Sequence, residues 1–166
     1  MQYIAYMHIK TEDVLDIMPP QMGLFGLLLS FMNRLQSVGD SFYEEITCKQ
    51  FFLLICMNLY PDEPPTANEL AETMGCSRQN VKEILNSLCK KEMIVLIQDE
   101  NDKRKQRIIT TEKTKALAEK YTKKEMEFMQ LLFDGISDEE IRNVFKIISR
   151  MEKNIKKADN NSGETK

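Results

Sequence analysis

Apolar residues recur three and four positions apart through most of this chain, so its hydrophobic pattern is helical. Pro19 and Pro20 give a first-turn signal. Leu24, Leu28, Phe31, Leu35 and Val38 follow at helical spacing, and Gly39 is the expected stop. Residues 1–17 read as an N-terminal arm or short helix. A second helix is predicted over 47–60, carrying Phe51, Leu54 and Ile55, with Pro61, Pro64 and Pro65 ending it. Two short helices come next. Thr66 and Glu69 have capping-box spacing ahead of Leu70, Ala71 and Met74, and Gly75 closes that helix. Ser77 caps its successor, whose apolar stripe is Val81, Ile84, Leu85 and Leu88. A short helix, a Gly-containing turn and a second capped helix form the helix-turn-helix pattern.

The period then changes. Residues 93–97 are apolar and β-branched, 99–102 are a turn signal, and 107–110 are strand-like again, which predicts a two-stranded wing. Thr111 caps a long helix running through Tyr121 and Phe128 to Phe133, and Ser137 with Glu140 repeats the capping-box spacing. Ile141, Val144, Ile148, Met151 and Ile155 then form a heptad-like seam. The expected fold is mainly α with a small β wing: a winged helix-turn-helix with N- and C-terminal dimerisation helices. Residues 1–44 are the N-terminal arm and dimerisation helix, 45–110 the winged domain, 111–157 the C-terminal dimerisation helices and 158–166 a disordered tail. The seam, with Leu24 and Leu28 on the first long helix, exceeds what one small wing domain could cover, so a homodimer is expected.

Charge first argues against a nucleic-acid partner. Lys and Arg number 23 against 26 Asp and Glu, a net charge of −3. Local counting reverses the argument. Residues 77–107 hold eight Lys and Arg against five acids, +3, which leaves −6 for the remainder. The helix that starts after Ser77 turns its apolar stripe inward. Arg78, Gln79, Asn80, Lys82 and Asn86 are left outside, together with Glu83 and Lys90. Arg suits the O6 and N7 of guanine, and Asn or Gln the N6 and N7 of adenine, while Ser77 at a helix start suits a phosphate oxygen. Lys103, Arg104, Lys105 and Arg107 crowd four cations onto the wing, which can reach the minor groove, and Asp102 is placed to brace Arg104. A solvated polar face is the plain alternative for each part taken alone.

Other chemistry finds no support. The longest apolar run, residues 22–32, has 11 residues where a bilayer needs about 20, and residues 1–17 do not read as a secretion signal. No membrane association is expected, and the expected location is cytoplasmic. The four cysteines, Cys48, Cys56, Cys76 and Cys89, contain no CxxC, and His8 is the sole histidine. No metal site, cofactor or catalytic set is expected, and the chain does not read as an enzyme. The cysteines are expected as small buried hydrophobes, with a cysteine-based redox-sensing regulator as the sharper alternative. Glu139 and Glu140 lie at a helix start and complement its dipole.

The order Thr47-Cys48-Lys49-Gln50-Phe51, Asn68-Glu69-Leu70-Ala71, Ser77-Arg78-Gln79-Asn80-Val81, then Asp102-Lys103-Arg104-Lys105 and Thr110-Thr111-Glu112-Lys113 resembles MarR-type (multiple antibiotic resistance regulator) transcription factors. The resemblance covers roughly residues 20–157. It implies a homodimeric winged-helix repressor or activator of double-stranded DNA, expected as a repressor released by a small-molecule effector, with the helix at 77–90 in the major groove. It further implies Arg104 in the minor groove, braced by Asp102, and a near-palindromic operator matching the dimer's two-fold symmetry. A small aromatic or lipophilic effector would bind between the DNA-binding and dimer regions. Phe31, Phe42, Tyr43, Phe51, Phe52 and the methionines are candidate lining, or else ordinary core. The family often has Gly where Glu92 and Thr114 stand, and a Pro in the wing that this chain lacks. The competing interpretation is a winged-helix protein-interaction scaffold without DNA binding.

Overall fold

The computed structural model describes residues 11–163. His8 and the first ten positions of the expected N-terminal arm lie outside the described residues. After α1 (Thr11–Ile17), Pro19 breaks the chain and Pro20 opens α2 (Pro20–Phe42), where a proline's missing N–H leaves no helical bond unmade. Gly39 does not stop this helix. It lies inside α2 because a Cβ there would meet Cys48 Sγ at 2.6 Å, so glycine is what lets α2 close onto the next helix. Asp40 fixes the same junction by accepting the Cys48 N–H at 2.8 Å. The helix α3 (Cys48–Met57) starts in a full capping box between Thr47 and Gln50 and ends before the prolines.

The helix α4 (Ala67–Met74) is opened by the Thr66 and Glu69 box, and Gly75 closes it at φ 64°, a left-handed position that glycine takes without strain. The helix α5 (Arg78–Lys90) follows after Ser77. The strands β1 (Ile94–Gln98) and β2 (Gln106–Thr110) pair antiparallel, with Leu96 opposite Ile108. On the far edge of β2, Arg107 bridges to Thr66, and Ile108 N–H donates to the Pro65 carbonyl at 2.9 Å. The wing is thereby hydrogen-bonded to the chain just ahead of α4. Leu53, Leu70, Val81, Leu88, Ile94 and Ile108, one or two from each of α3, α4, α5, β1 and β2, are among the most deeply buried apolar residues. They form the core on which the outward faces of α5 and the wing are carried.

The described chain divides into two units, one ending at Lys115 and the other starting at Ala116, inside α6 (Glu112–Leu132). Among the described residues, the first unit holds both α2 and α3, which approach closely at Gly39. In the second unit, Gly135 turns the chain at φ 72°, and the Ser137 and Glu140 box opens α7 (Asp138–Gly163). The Ser137 hydroxyl and N–H hold the Glu140 carboxyl below its ordinary range. The helix α7 continues through 158–163, which the sequence suggested as disordered. Helix-favouring Glu and Lys residues precede these positions, with a Glu152–Lys156 pair at 3.1 Å one turn upstream.

The cysteines correct one expectation. Cys56 alone is fully buried; Cys48, Cys76 and Cys89 are half-buried. Three of them sit near helix ends, where less chain covers them. Burial raises the thiols of Cys48 and Cys56, helped by Asp40 and Cys76 respectively, which disfavours the thiolate that redox sensing needs.

Candidate nucleic-acid interface

The outward face of α5 is set by what its inward face buries. Val81, Leu85 and Leu88 are in the core, at helical spacing, so Ser77, Arg78, Gln79, Asn80, Lys82 and Asn86 are all exposed. Ser77 Oγ accepts the Asn80 N–H at 3.2 Å, which leaves its own proton for an incoming oxygen. Gln79 donates its amide to Glu83 at 3.1 Å, so it enters any base contact by exchanging that partner. At the other end, Lys91 Nζ donates to the Glu45 carbonyl at 2.6 Å and to Gln50 Oε1 at 2.9 Å. Gln50 in turn donates to Ser87 Oγ at 2.8 Å. This clamp, from the chain before α3 to the end of α5, was not visible in the sequence, because its members lie about forty positions apart.

The wing turn is organised by two aspartates. Asp99 Oδ1 accepts the N–H groups of Asn101 and Asp102 at 2.9 and 2.8 Å, and Lys105 N–H closes the turn on the Asp102 carbonyl at 2.8 Å. These amides, with the Arg107 guanidinium, lower the Asp99 carboxyl from 3.8 to about 2. Asp102 accepts Arg104 Nε at 3.1 Å, Nη2 at 3.4 Å and the Arg104 backbone N–H at 3.0 Å. These hydrogen bonds from Arg104 hold the Asp102 carboxyl low. The Arg104 side chain is 91% exposed, so it is aimed while remaining open to solvent. Lys103 and Lys105 are exposed beside it.

Arg107 corrects the sequence reading. Its side chain is only 12% exposed and is surrounded by Asp99, Glu63, Glu69 and the Pro64 carbonyl, so it does not join the exposed cations. A count of cations along the wing could not separate it from its neighbours, because the partner Glu63 lies far away in sequence. Glu92, where the family often has Gly, takes φ 60°, the geometry that favours glycine. Thr114, at the other such position, is buried and donates its hydroxyl to the Met93 carbonyl. Both departures sit at the base of the wing, behind the exposed face. Among the aromatic residues considered for an effector site, Phe42 meets Tyr43 edge-on, Tyr43 lies tilted against Phe51, and Tyr43 is buried.

The geometry as a whole is a basic helix face beside a basic, braced hairpin, on a shared core. Comparison with known proteins finds similar ones. The MarR family signature matches residues 46–105. An uncharacterised HTH-type transcriptional regulator of Bacillus cereus is 26% identical over 80% of this chain and 88% of its own length. A MarR protein from Peptoclostridium difficile superposes with a TM-score of 0.69 at 21% identity, over 81% of this chain and 88% of that one. The MepR–DNA complex of S. aureus gives 0.68 at 22% identity, over 78% and 94%. No helix among the described residues is long and apolar enough to cross a membrane. Residues 46–105 thus carry a MarR-like winged-helix region, and the fold of the chain is similar to that of solved MarR proteins.

Proposed function

We propose that this chain binds a near-palindromic double-stranded DNA operator as a homodimer, acts as a repressor in the cytoplasm, and is released by a small aromatic or lipophilic effector. One observation carries the DNA assignment: Arg104 is exposed yet held by three hydrogen bonds to Asp102, beside an α5 face made of Ser77, Arg78, Asn80, Lys82 and Asn86. A guanidinium with a fixed direction loses little freedom on entering a narrow groove. Residues on α5 then read base edges in the major groove, Arg78 suiting guanine and Gln79 or Asn80 suiting adenine. Lys82, Lys103 and Lys105 supply phosphate contacts that position the protein without specifying sequence. The dimer assignment draws on the exposed apolar residues of α2 and α7, which include Leu24, Val144, Ile148 and Ile155.

The test is a mobility-shift titration on duplexes selected from a random pool. Arg104→Ala is expected to weaken binding by about 1–3 kcal/mol on every selected duplex. Asn80→Ala is expected to change which duplex is preferred. Unchanged affinity in Arg104→Ala would remove the minor-groove assignment.

A further inference from the structure

Arg107 uses its guanidinium in several directions at once. Nε donates to Asp99 Oδ2 at 2.5 Å, Nη1 donates to the Pro64 carbonyl at 2.9 Å, and Nη2 meets Glu63 at 2.5 Å. Glu69 lies 3.6 Å from Nη1, and the same Glu69 oxygen accepts the Thr66 N–H at 2.7 Å in the capping box of α4. One end of this arrangement therefore belongs to the start of the helix-turn-helix. The other end belongs to the wing. Asp99, which is 4% exposed, holds Arg107 on one oxygen and the turn amides of Asn101 and Asp102 on the other. Asp102 in turn holds Arg104. A continuous series of ion pairs and hydrogen bonds runs from the α4 cap through Arg107, Asp99 and Asp102 to the exposed guanidinium of Arg104.

We infer that Arg107 is a positioning residue for DNA recognition: it fixes the wing tip, and with it Arg104, relative to the helix-turn-helix, and it makes no DNA contact itself. This rests on the DNA-binding role proposed above. Two features of the geometry support it. A guanidinium that is only 12% exposed, wrapped by three carboxylates and a carbonyl, is screened from an incoming phosphate, and its local surroundings are net negative. The isolated bridge between Thr66 and Arg107 also shows that the backbone of β2 is already joined to the α4 side. What the Arg107 side chain adds beyond that bridge is the link to Asp99, and Asp99 is the residue that shapes the turn.

The test is a double-mutant cycle with the full chain on a duplex selected by the wild-type protein. Arg107→Lys retains the charge but cannot span Asp99, Glu63 and the Pro64 carbonyl together; Arg107→Met removes the charge as well. Each is expected to weaken binding about tenfold in the wild-type background and by less than about twofold when Arg104 is already alanine. A loss of the same size in both backgrounds would overturn the positioning role, since it would mean a direct DNA contact or a general loss of folding. If Arg104→Ala by itself binds as well as wild type, the underlying minor-groove assignment fails instead, and this inference falls with it. Hydrogen exchange in the DNA-free protein gives an independent readout. Arg107→Lys, which retains the fold's net charge, is expected to speed exchange at the Asn101 and Asp102 amides and to leave the α5 amides unchanged. Unchanged protection at both turn amides would also overturn it.

Discussion

Glu92 holds the left-handed backbone position between α5 and β1, at φ 60°. A side chain with a Cβ enters that region at a cost of about 1–2 kcal/mol. The turn is held from both sides: Glu92 N–H donates to the Cys89 carbonyl at 2.9 Å, and its own carbonyl accepts the Thr111 hydroxyl at 2.8 Å. Its carboxylate reaches Lys113 only at 3.6 Å and in full solvent, a pair worth little. Glu92→Gly is therefore expected to stabilise the protein. Part of the relief is offset by the greater freedom of glycine in the unfolded chain, which leaves a net gain of about 0.5–1 kcal/mol, seen as a higher urea midpoint at unchanged slope. Asp99 governs a second residue-scale property. Its carboxyl titrates near 2 in the folded chain against an ordinary value of 3.8. A depressed carboxylate stabilises the fold fully above its unfolded value, and that contribution is lost as pH falls through the folded one. Stability is expected to decline between about pH 4 and pH 2, and the decline should be shallower in Asp99→Asn when urea midpoints are compared across that range. Equal acid slopes in the two proteins would mean that Asp99 is not the group responsible.

At the scale of elements, Gly39 shows how two physical roles of one residue can be confused. A glycine following an apolar stripe is a common helix terminator, but α2 continues past Gly39 to Phe42. The glycine is there for the close approach of α3, where an added Cβ would lie 2.6 Å from Cys48 Sγ and 2.8 Å from Cys48 Cβ. Gly39→Ala improves helix propensity by about 1 kcal/mol. It should nonetheless destabilise the protein, because forcing a methyl against that junction costs about 1–3 kcal/mol. Thermal unfolding checks the sign; a stabilised variant would mean that the junction yields easily. The same contrast explains what was legible beforehand. The boxes at Thr66 and Ser137, the Ser77 cap and the Asp102–Arg104 brace span two or three residues, and local spacing determines them. Gly39 against Cys48, Arg107 against Glu63 and Lys91 against Glu45 depend on how elements approach one another, and a single sequence does not encode those distances locally. The exposed face of α5 was readable because the buried stripe that fixes it is periodic. The role of Arg107 was not, because charge alone does not reveal a buried partner.

For the whole molecule, the open question is what covers the apolar surface of α7. Val144 is 58% exposed and Phe145 72%, with Ile148 and Ile155 also exposed, along a helix otherwise rich in charge. Phe145 was absent from the seam read from the sequence, and it widens the stripe. Transferring such a surface from water contributes roughly 25 cal/mol per Å², which makes a second copy of the chain the natural cover. A homodimer at micromolar concentration is expected, sedimenting at twice the 19.4 kDa of one chain. Placing charge in the stripe, as in Val144→Asp with Ile155→Asp, should shift the protein to monomer. Neither residue is in the buried core, so the fold should survive, with an unchanged helical circular-dichroism signal. The consequence for DNA follows from counting phosphates. If each subunit contributes its own α5 and wing, the dependence of log K on log salt should fall to about half its slope in the monomer, because half the counterions are released. Affinity for a two-half-site duplex should drop far more than affinity for a single half-site, since the second α5 no longer binds as part of the same molecule. A wild-type chain that sediments as a monomer, or a double variant that stays dimeric, would show that the α7 stripe is not the interface.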